Sequence, residues 1–165
     1  MAAHRYAFHT QENVMFRGPL LAVAMMSLVP SFVLPASAAN VDFHGTLAGA
    51  SEVPAKTTDG SGDVLATLDT KTKLLTYTVT FYGLSGPATM GHFHGPAAAD
   101  ANAGVVVPFA APVVSPYHAT ATLTDAQIKE LMAGKWYANI HTAANPGGEI
   151  RGQMLSGNMK PAMKH

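Results

Sequence analysis

The sequence predicts an all-β fold, an antiparallel Greek-key-like β-sandwich or barrel with one short helix. Three observations carry this. Apolar and polar residues alternate at period two over most of the chain beyond residue 40; Gly, Pro and Asn recur at short spacing between the alternating runs; one segment alone has the start and stop signals of a helix.

The clearest strands are "GDVLATLD", with Val64, Ala66 and Leu68 on one face, and "LLTYTVTFY", with Leu75, Tyr77, Val79 and Phe81 opposed to Thr76, Thr78 and Thr80. The polar connector "DTKTK" between them suits a hairpin. Shorter strands are expected in "VDFHGTLAG", "GHFHG", "GVVVPFA" and "YHATATL", with Pro108 and Pro112 at strand edges or ends, where a missing N–H costs least. The helix begins at Thr124, an N-cap with Gln127 reaching back; its apolar stripe is Ile128, Leu131 and Met132, and Gly134 ends it. It is expected as a short cover over the sandwich. "KWYANIH" resumes alternation, with Trp136, Ala138 and Ile140 inward and Tyr137, Asn139 and His141 on the other face; a turn at "NPGGE" leads to a last strand, "EIRGQM". No internal repeat is visible.

The chain has 165 residues, 48% hydrophobic and 12% charged, with formal net charge zero, which suits one globular domain. The apolar run Gly18–Leu34 follows Arg17 and leads to Ala36-Ser37-Ala38, a small-x-small pattern suited to a signal peptidase. Residues 1–38 are therefore read as a signal peptide, with Met1 or Met15 as the start; Met15 would give the more ordinary signal length. A membrane anchor is the competing reading. The run falls short of the roughly 20 residues needed to span a bilayer and contains two prolines, so no stable membrane insertion is expected after cleavage, and the location is periplasmic or extracellular.

Removing 38 residues leaves 127, enough to bury a core without cross-links. The chain has no cysteine, which excludes thiolate zinc sites, Cys nucleophiles and CxxC redox chemistry. Of ten basic and ten acidic residues, Arg5, Arg17 and Glu12 go with the signal, leaving eight against nine with no like-charge run. Nucleic acid is excluded as a partner on that ground. A protein partner remains open without a feature that names one.

The stretch "TMGHFHGPAAAD" carries the main chemical hint. On a strand, residues i and i+2 share a face about 7 Å apart at Cα, so His92 and His94 can converge while Phe93 anchors in the core and Gly91 and Gly95 leave room around the rings. Two imidazoles make a weak site; useful affinity needs three or four ligands, and copper or zinc favours imidazole nitrogen. His141, before a Gly-rich turn, is the best third ligand. His44 and His118 are candidates for an extra ligand or a supporting partner. Against this stands the plain reading in which both histidines are solvated or hydrogen-bonded side chains. Met154, together with Met159, Met163 and His165 of the flexible tail, residues 156–165, forms a second, weaker candidate for Cu(I). No G-x-S-x-G elbow, phosphate loop, HExxH or carboxylate pair is present, so no enzymatic reading finds support.

Four blocks, "LAGASEVP" (47–54), "LTYTVTFYGLSG" (75–86), "MGHFHGPA" (90–97) and "WYANIHTAANPGGEIRGQM" (136–154), follow in the order of the CHRD family, and residues 39–155 resemble that domain, named after the secreted protein chordin. The resemblance implies an exported β-sandwich without assigned catalysis. Its pattern includes His92, His94, His141, Gly148, Glu149, Arg151 and Gly152 but not His44, His118 or His165. The order His92, His94, His141, Arg151 is also distantly similar to the copper site of Cu,Zn superoxide dismutase. The bridging histidine, the disulfide and the long zinc loop of that family have no counterpart, which argues against dismutase activity.

Taken with the spacing, the resemblance implies a copper site, with zinc as the alternative, at His92, His94 and His141. Asn139 or Glu149 would orient an imidazole, and Arg151 would pin the final turn or attract a small anion. The other reading is a metal-free structural or interaction module in which the same residues form a hydrogen-bonded turn lattice.

Overall fold

A computed structural model of the protein describes residues 39–157; the expected signal peptide and residues 158–165, with Met159, Met163 and His165, lie outside the described residues. Nine strands form one antiparallel sheet: β1 (Asn40–Ala48), β2 (Ser61–Asp69), β3 (Leu74–Tyr82), β4 (Ala88–His94), β5 (Val105–Pro108), β6 (Tyr117–Thr122), β7 (Tyr137–Thr142), β8 (Ile150–Gln153) and β9 (Leu155–Ser156). One α-helix, α1 (Asp125–Met132), precedes β7.

Strand order is β5-β4-β7-β8-β1-β2-β3-β6, with β9 paired to β1, and the sheet curls into a nearly closed barrel. β1, β2 and β3 are consecutive neighbours; the chain then crosses over to place β4 between β5 and β7, and β6 returns to β3. Such non-sequential returns make the topology Greek-key-like. β5, at one edge, ends in Pro108, which has no N–H to offer a further strand.

The alternation predicts the core faces. Val64, Leu68, Leu75 and Val79 are fully buried while Thr76 and Thr80 are exposed. Phe93 and Trp136 are likewise at 0% exposure, and burying side chains of this size stabilises the fold by about 1.5–3 kcal/mol each. Phe93 meets Tyr77 edge-on at 4.8 Å and Phe109 at 5.1 Å between ring centroids, so β4 is bolted to the opposite wall of the barrel.

The helix starts as its sequence requires. The Thr124 hydroxyl accepts from Gln127 N at 3.3 Å, the Gln127 side chain accepts from Thr124 N at 2.8 Å, and Gly134 follows at φ +67°. The stripe is narrower than expected. Leu131 is buried and Ile128 packs partly against the core, but Met132 is 45% exposed, because an eight-residue helix lying on a barrel presents little more than one line of contact.

Two further departures are informative. β7 is buried on both faces: the side bearing Tyr137, Asn139 and His141 is roofed by the segments 49–56 and 95–104. Arg151 and Gln153 hold the second segment through the carbonyls of Ala97, Ala98 and Ala101, and Asn102 Nδ2 donates to Val53 O, tying the two segments together. At the other end, the chain remains in the sheet beyond Met154: Leu155 and Ser156 pair with His44 and Phe43. Met154 itself is fully buried in the core, so its thioether is not available to a copper set in the tail.

Candidate metal centre

The outward faces of β4 and β7 carry the three histidines. Antiparallel register sets His92 opposite Asn139, His94 opposite Tyr137, and Met90 opposite His141. Because Phe93 must point inward, His92 and His94 are driven outward. His141 reaches them diagonally from the neighbouring strand. Gly91 and Gly95 serve the core rather than the imidazoles: a Cβ on Gly91 would lie 2.4 Å from the Phe109 ring and one on Gly95 2.5 Å from the Trp136 ring. Gly91 faces inward with Phe93, and Gly95, just beyond β4, abuts the buried Trp136, so the space they leave is on the core side.

Ring centroids are 5.0 Å apart for His92 and His141, 5.3 Å for His92 and His94, and 6.4 Å for His94 and His141. One nitrogen from each ring can be chosen so that all three lie within 4.8 Å of one another. Two nitrogens each about 2.0–2.1 Å from a shared ion stand about 3.4–3.6 Å apart at tetrahedral or trigonal angles and at most about 4.2 Å, so gathering them on one ion takes side-chain movement of about half an ångström to somewhat over one ångström at the widest pair.

The carbonyls around the site fix the tautomers. His94 Nδ1 is 3.0 Å from Ala103 O and His141 Nδ1 is 3.0 Å from Pro146 O. A carbonyl can only accept, so both rings carry the proton on Nδ1 and present a lone pair at Nε2. His94 Nε2 is buried and has no hydrogen-bond partner among the described residues. His92 Nδ1 is 3.1 Å from His141 Nε2 and donates to it. All three rings titrate below the ordinary histidine value: burial is the main cause, and the neighbouring imidazoles bring His92 down to about 4. At neutral pH the cluster is uncharged, the form that binds metal.

The supporting residues hold the turn and the roof and do not orient the imidazoles. Asn139 donates to Glu52 Oε1 at 2.6 Å instead of orienting a histidine, and its own Oδ1 is buried without a partner. Burial raises the Glu52 carboxyl, with Arg151 and the Asn139 hydrogen bond opposing. Gly148, at φ +126°, allows this packing, since a Cβ there would lie 2.6 Å from Asn139 Nδ2 and 2.7 Å from Glu52 Oε1. Glu149 is fully buried and accepts from Thr58 Oγ1 at 2.6 Å, from Ser85 N at 2.7 Å and from Ser85 Oγ and Thr142 Oγ1 at 2.5 Å. It locks the turn after β7 and touches no imidazole. Arg151 donates to Asn102 Oδ1 at 3.0 Å, Ala101 O at 2.8 Å and Ala98 O at 3.3 Å, so both terminal nitrogens are engaged by the roof and neither awaits an anion.

His44 and His118 do not approach the site. β8 and β7 lie between β1 and β4, putting His44 three strand spacings away, roughly 14 Å. Its Nδ1 meets Gly157 O at 2.9 Å, and His118, on β6, meets Thr78 Oγ1 at 2.9 Å. Tyr137 was not foreseen as part of the site. Its ring stacks on His94 at 4.8 Å with a 3° interplanar angle, and alternation with His141 on the same strand face was the signal that could have found it. Glu52, on a loop distant in sequence, gave no such signal.

Comparisons with curated proteins and with solved structures each return no match. The family model of the CHRD domain matches residues 43–154, a span that contains all four sequence blocks and all three converging histidines. The chain therefore belongs to the CHRD domain family.

Proposed function

We propose that this is an exported CHRD-domain protein that binds a transition metal ion, copper in preference to zinc, through His92, His94 and His141. The observation that carries the reading is the pair of Nε2 lone pairs on His94 and His141, each fixed by an Nδ1–H bond to a backbone carbonyl; the first has no partner among the described residues, and the second meets only the Nδ1 proton of a third neutral imidazole, His92, a proton that metal binding would displace. Carbonyl-anchored imidazoles are the usual support of metal-ligating histidines. Copper is preferred because it heads the divalent affinity order for nitrogen sites, and because the exposed thioether of Met90, in register with His141, adds a soft donor on the same face. Export rests on the signal-like leader and the family; in addition, no helix among the described residues is long and apolar enough to cross a membrane.

Isothermal titration of the protein with Cu(II) and Zn(II), against a His92→Ala/His94→Ala variant, tests the site. Stoichiometric binding lost in the variant is expected; equal heats from both proteins would remove the proposal.

A second reading has its own observation. The chain His92 Nδ1–H to His141 Nε2, continued by His141 Nδ1–H to Pro146 O, is already a hydrogen-bonded lattice closing the turn after β7. A structural or interaction module needs nothing more, and its melting temperature would be indifferent to copper.

A further inference from the structure

We propose that Arg151, acting through the Tyr137 ring, fixes the plane of His94 and biases copper held at the three-histidine site toward Cu(I). The inference rests on the metal-binding reading above and concerns a residue that coordinates nothing.

The sheet order β4-β7-β8 places Tyr137 between His94 and Arg151. His94 lies parallel to the phenol ring at 4.8 Å, and the Arg151 guanidinium carbon lies 3.5 Å from the centroid of the same ring. Two groups that close cannot share one face, so the three stack as imidazole, phenol and guanidinium. A cation over an aromatic face is attracted by the ring quadrupole, and the stack resists rotation of its outer member. The same arginine also acts by a second route. It grips Ala98 O and Ala101 O in the roof, and two residues further on Ala103 O receives the His94 Nδ1 proton, while Ala103 N–H donates to the Tyr137 hydroxyl at 3.2 Å. His94 is thus held in plane by a stacked ring and about its axis by a carbonyl, and both supports trace back to Arg151.

The charge matters as much as the geometry. Arg151 is 1% exposed, its hydrogen-bond acceptors are all neutral, and the one ion pair within 4.0 Å among the described residues is Lys73 with Asp125. Glu52 interacts with it at longer range. Only the Tyr137 ring separates the guanidinium from His94, 3.5 Å from its centroid on one side and 4.8 Å on the other, so the field of Arg151 reaches the ligand ring through a path without water. A fixed positive charge at low dielectric opposes a dication more than a monocation. When a reductant such as ascorbate passes one electron to bound Cu(II), the site charge falls from +2 to +1 and part of that repulsion is relieved.

The test is the ratio of Cu(I) to Cu(II) dissociation constants, obtained by chelator competition on the full chain and on Arg151→Met, Arg151→Lys, Tyr137→Phe and Tyr137→Leu. Arg151→Met should shift the ratio about tenfold toward Cu(II), equivalent to about 59 mV for a one-electron couple, whereas Arg151→Lys keeps the charge and should shift it less. Tyr137→Phe keeps the stack but leaves the Ala103 N–H without its hydroxyl acceptor, and should weaken both oxidation states less than Tyr137→Leu, which loses the stack as well. A merely structural arginine would change affinity or folding without moving the ratio, and an unmoved ratio in folded Arg151→Met overturns the inference. Should that variant fail to fold, unchanged copper affinity in Tyr137→Leu overturns it instead. A parent protein that binds no copper refutes the metal reading itself, a result separate from either of these.

Discussion

Acid should unfold this protein partly through one carboxylate, and the size of the effect follows from the surroundings of Glu149. Its side chain is fully buried and receives four hydrogen bonds, from Thr58, Thr142 and both the amide and hydroxyl of Ser85. Burial alone would raise its pKa, but the donors outweigh burial and bring it from 4.5 to about 2. The unfolded chain therefore binds a proton that the folded chain refuses throughout that interval, and stability rises with pH across it. The contribution is complete above pH 4.5 and is lost as pH falls toward about 2. At about 1.4 kcal/mol per tenfold change in proton affinity, it amounts to about 3 kcal/mol. Glutamine at 149 keeps the shape but cannot titrate. Urea unfolding of the parent and Glu149→Gln between about pH 6 and about pH 2 isolates the effect, because the neutral buried histidines destabilise both proteins alike as acid charges them when unfolded. The stability gap between the two should narrow by about 3 kcal/mol on acidification. A gap that is constant with pH would refute the reasoning that Glu149 is held ionised by its donors.

Other substitutions probe the site and its frame. His141→Ala removes the bond to Pro146 O and leaves the His92 donor unpaired, so it should cost about 1–3 kcal/mol in thermal or urea unfolding of the metal-free protein; no loss would mean the lattice is not holding the turn. If copper binds, the parent should melt several degrees higher when loaded and His141→Ala should not, a comparison that separates the two functional readings in one calorimetric experiment. Gly148→Ala forces a Cβ into Asn139 and Glu52 at a backbone conformation that suits glycine, and a loss of about 2 kcal/mol or more is expected; wild-type stability in that variant would show the Glu52–Asn139 pair to be loosely packed.

What the sequence made legible followed from local rules. Period-two alternation located β2 and β3 because each has one apolar face against the core, and Thr124 with Gln127 announced the helix through backbone chemistry that needs no tertiary partner. The same alternation put His92, His94 and His141 on outward faces, and the family blocks joined them into one candidate site. Alternation could not reveal that this outer face is roofed. That depends on Arg151 and Gln153 meeting backbone carbonyls some fifty residues away, a contact with no side-chain signature at the receiving end. Of the two roles open to Asn139 and Glu149, orienting an imidazole fails for the same reason: each is polar and near the histidines in sequence, but its partner, Glu52 or Ser85, comes from a distant loop, and Glu149 is left with the turn-stabilising role. His44 and His118, which the sequence offered as extra ligands beside His141, sit on outward faces of their own strands, and strand order is what keeps them from the cluster.

The half of the roof formed by residues 95–104 is held mainly through main-chain atoms, Asn102 apart: Ala97, Ala98, Ala101 and Ala103 contribute their carbonyl oxygens to Gln153, Arg151 and His94. Side-chain identity at the three exposed or half-exposed alanines, 98, 101 and 103, is therefore nearly free, whereas the number of residues between Gly95 and Gly104 is not, since each carbonyl must arrive opposite its own donor. Among relatives of this chain, the segment should drift in composition while holding its length. A single-residue deletion there should be worse for the histidine cluster than several simultaneous substitutions.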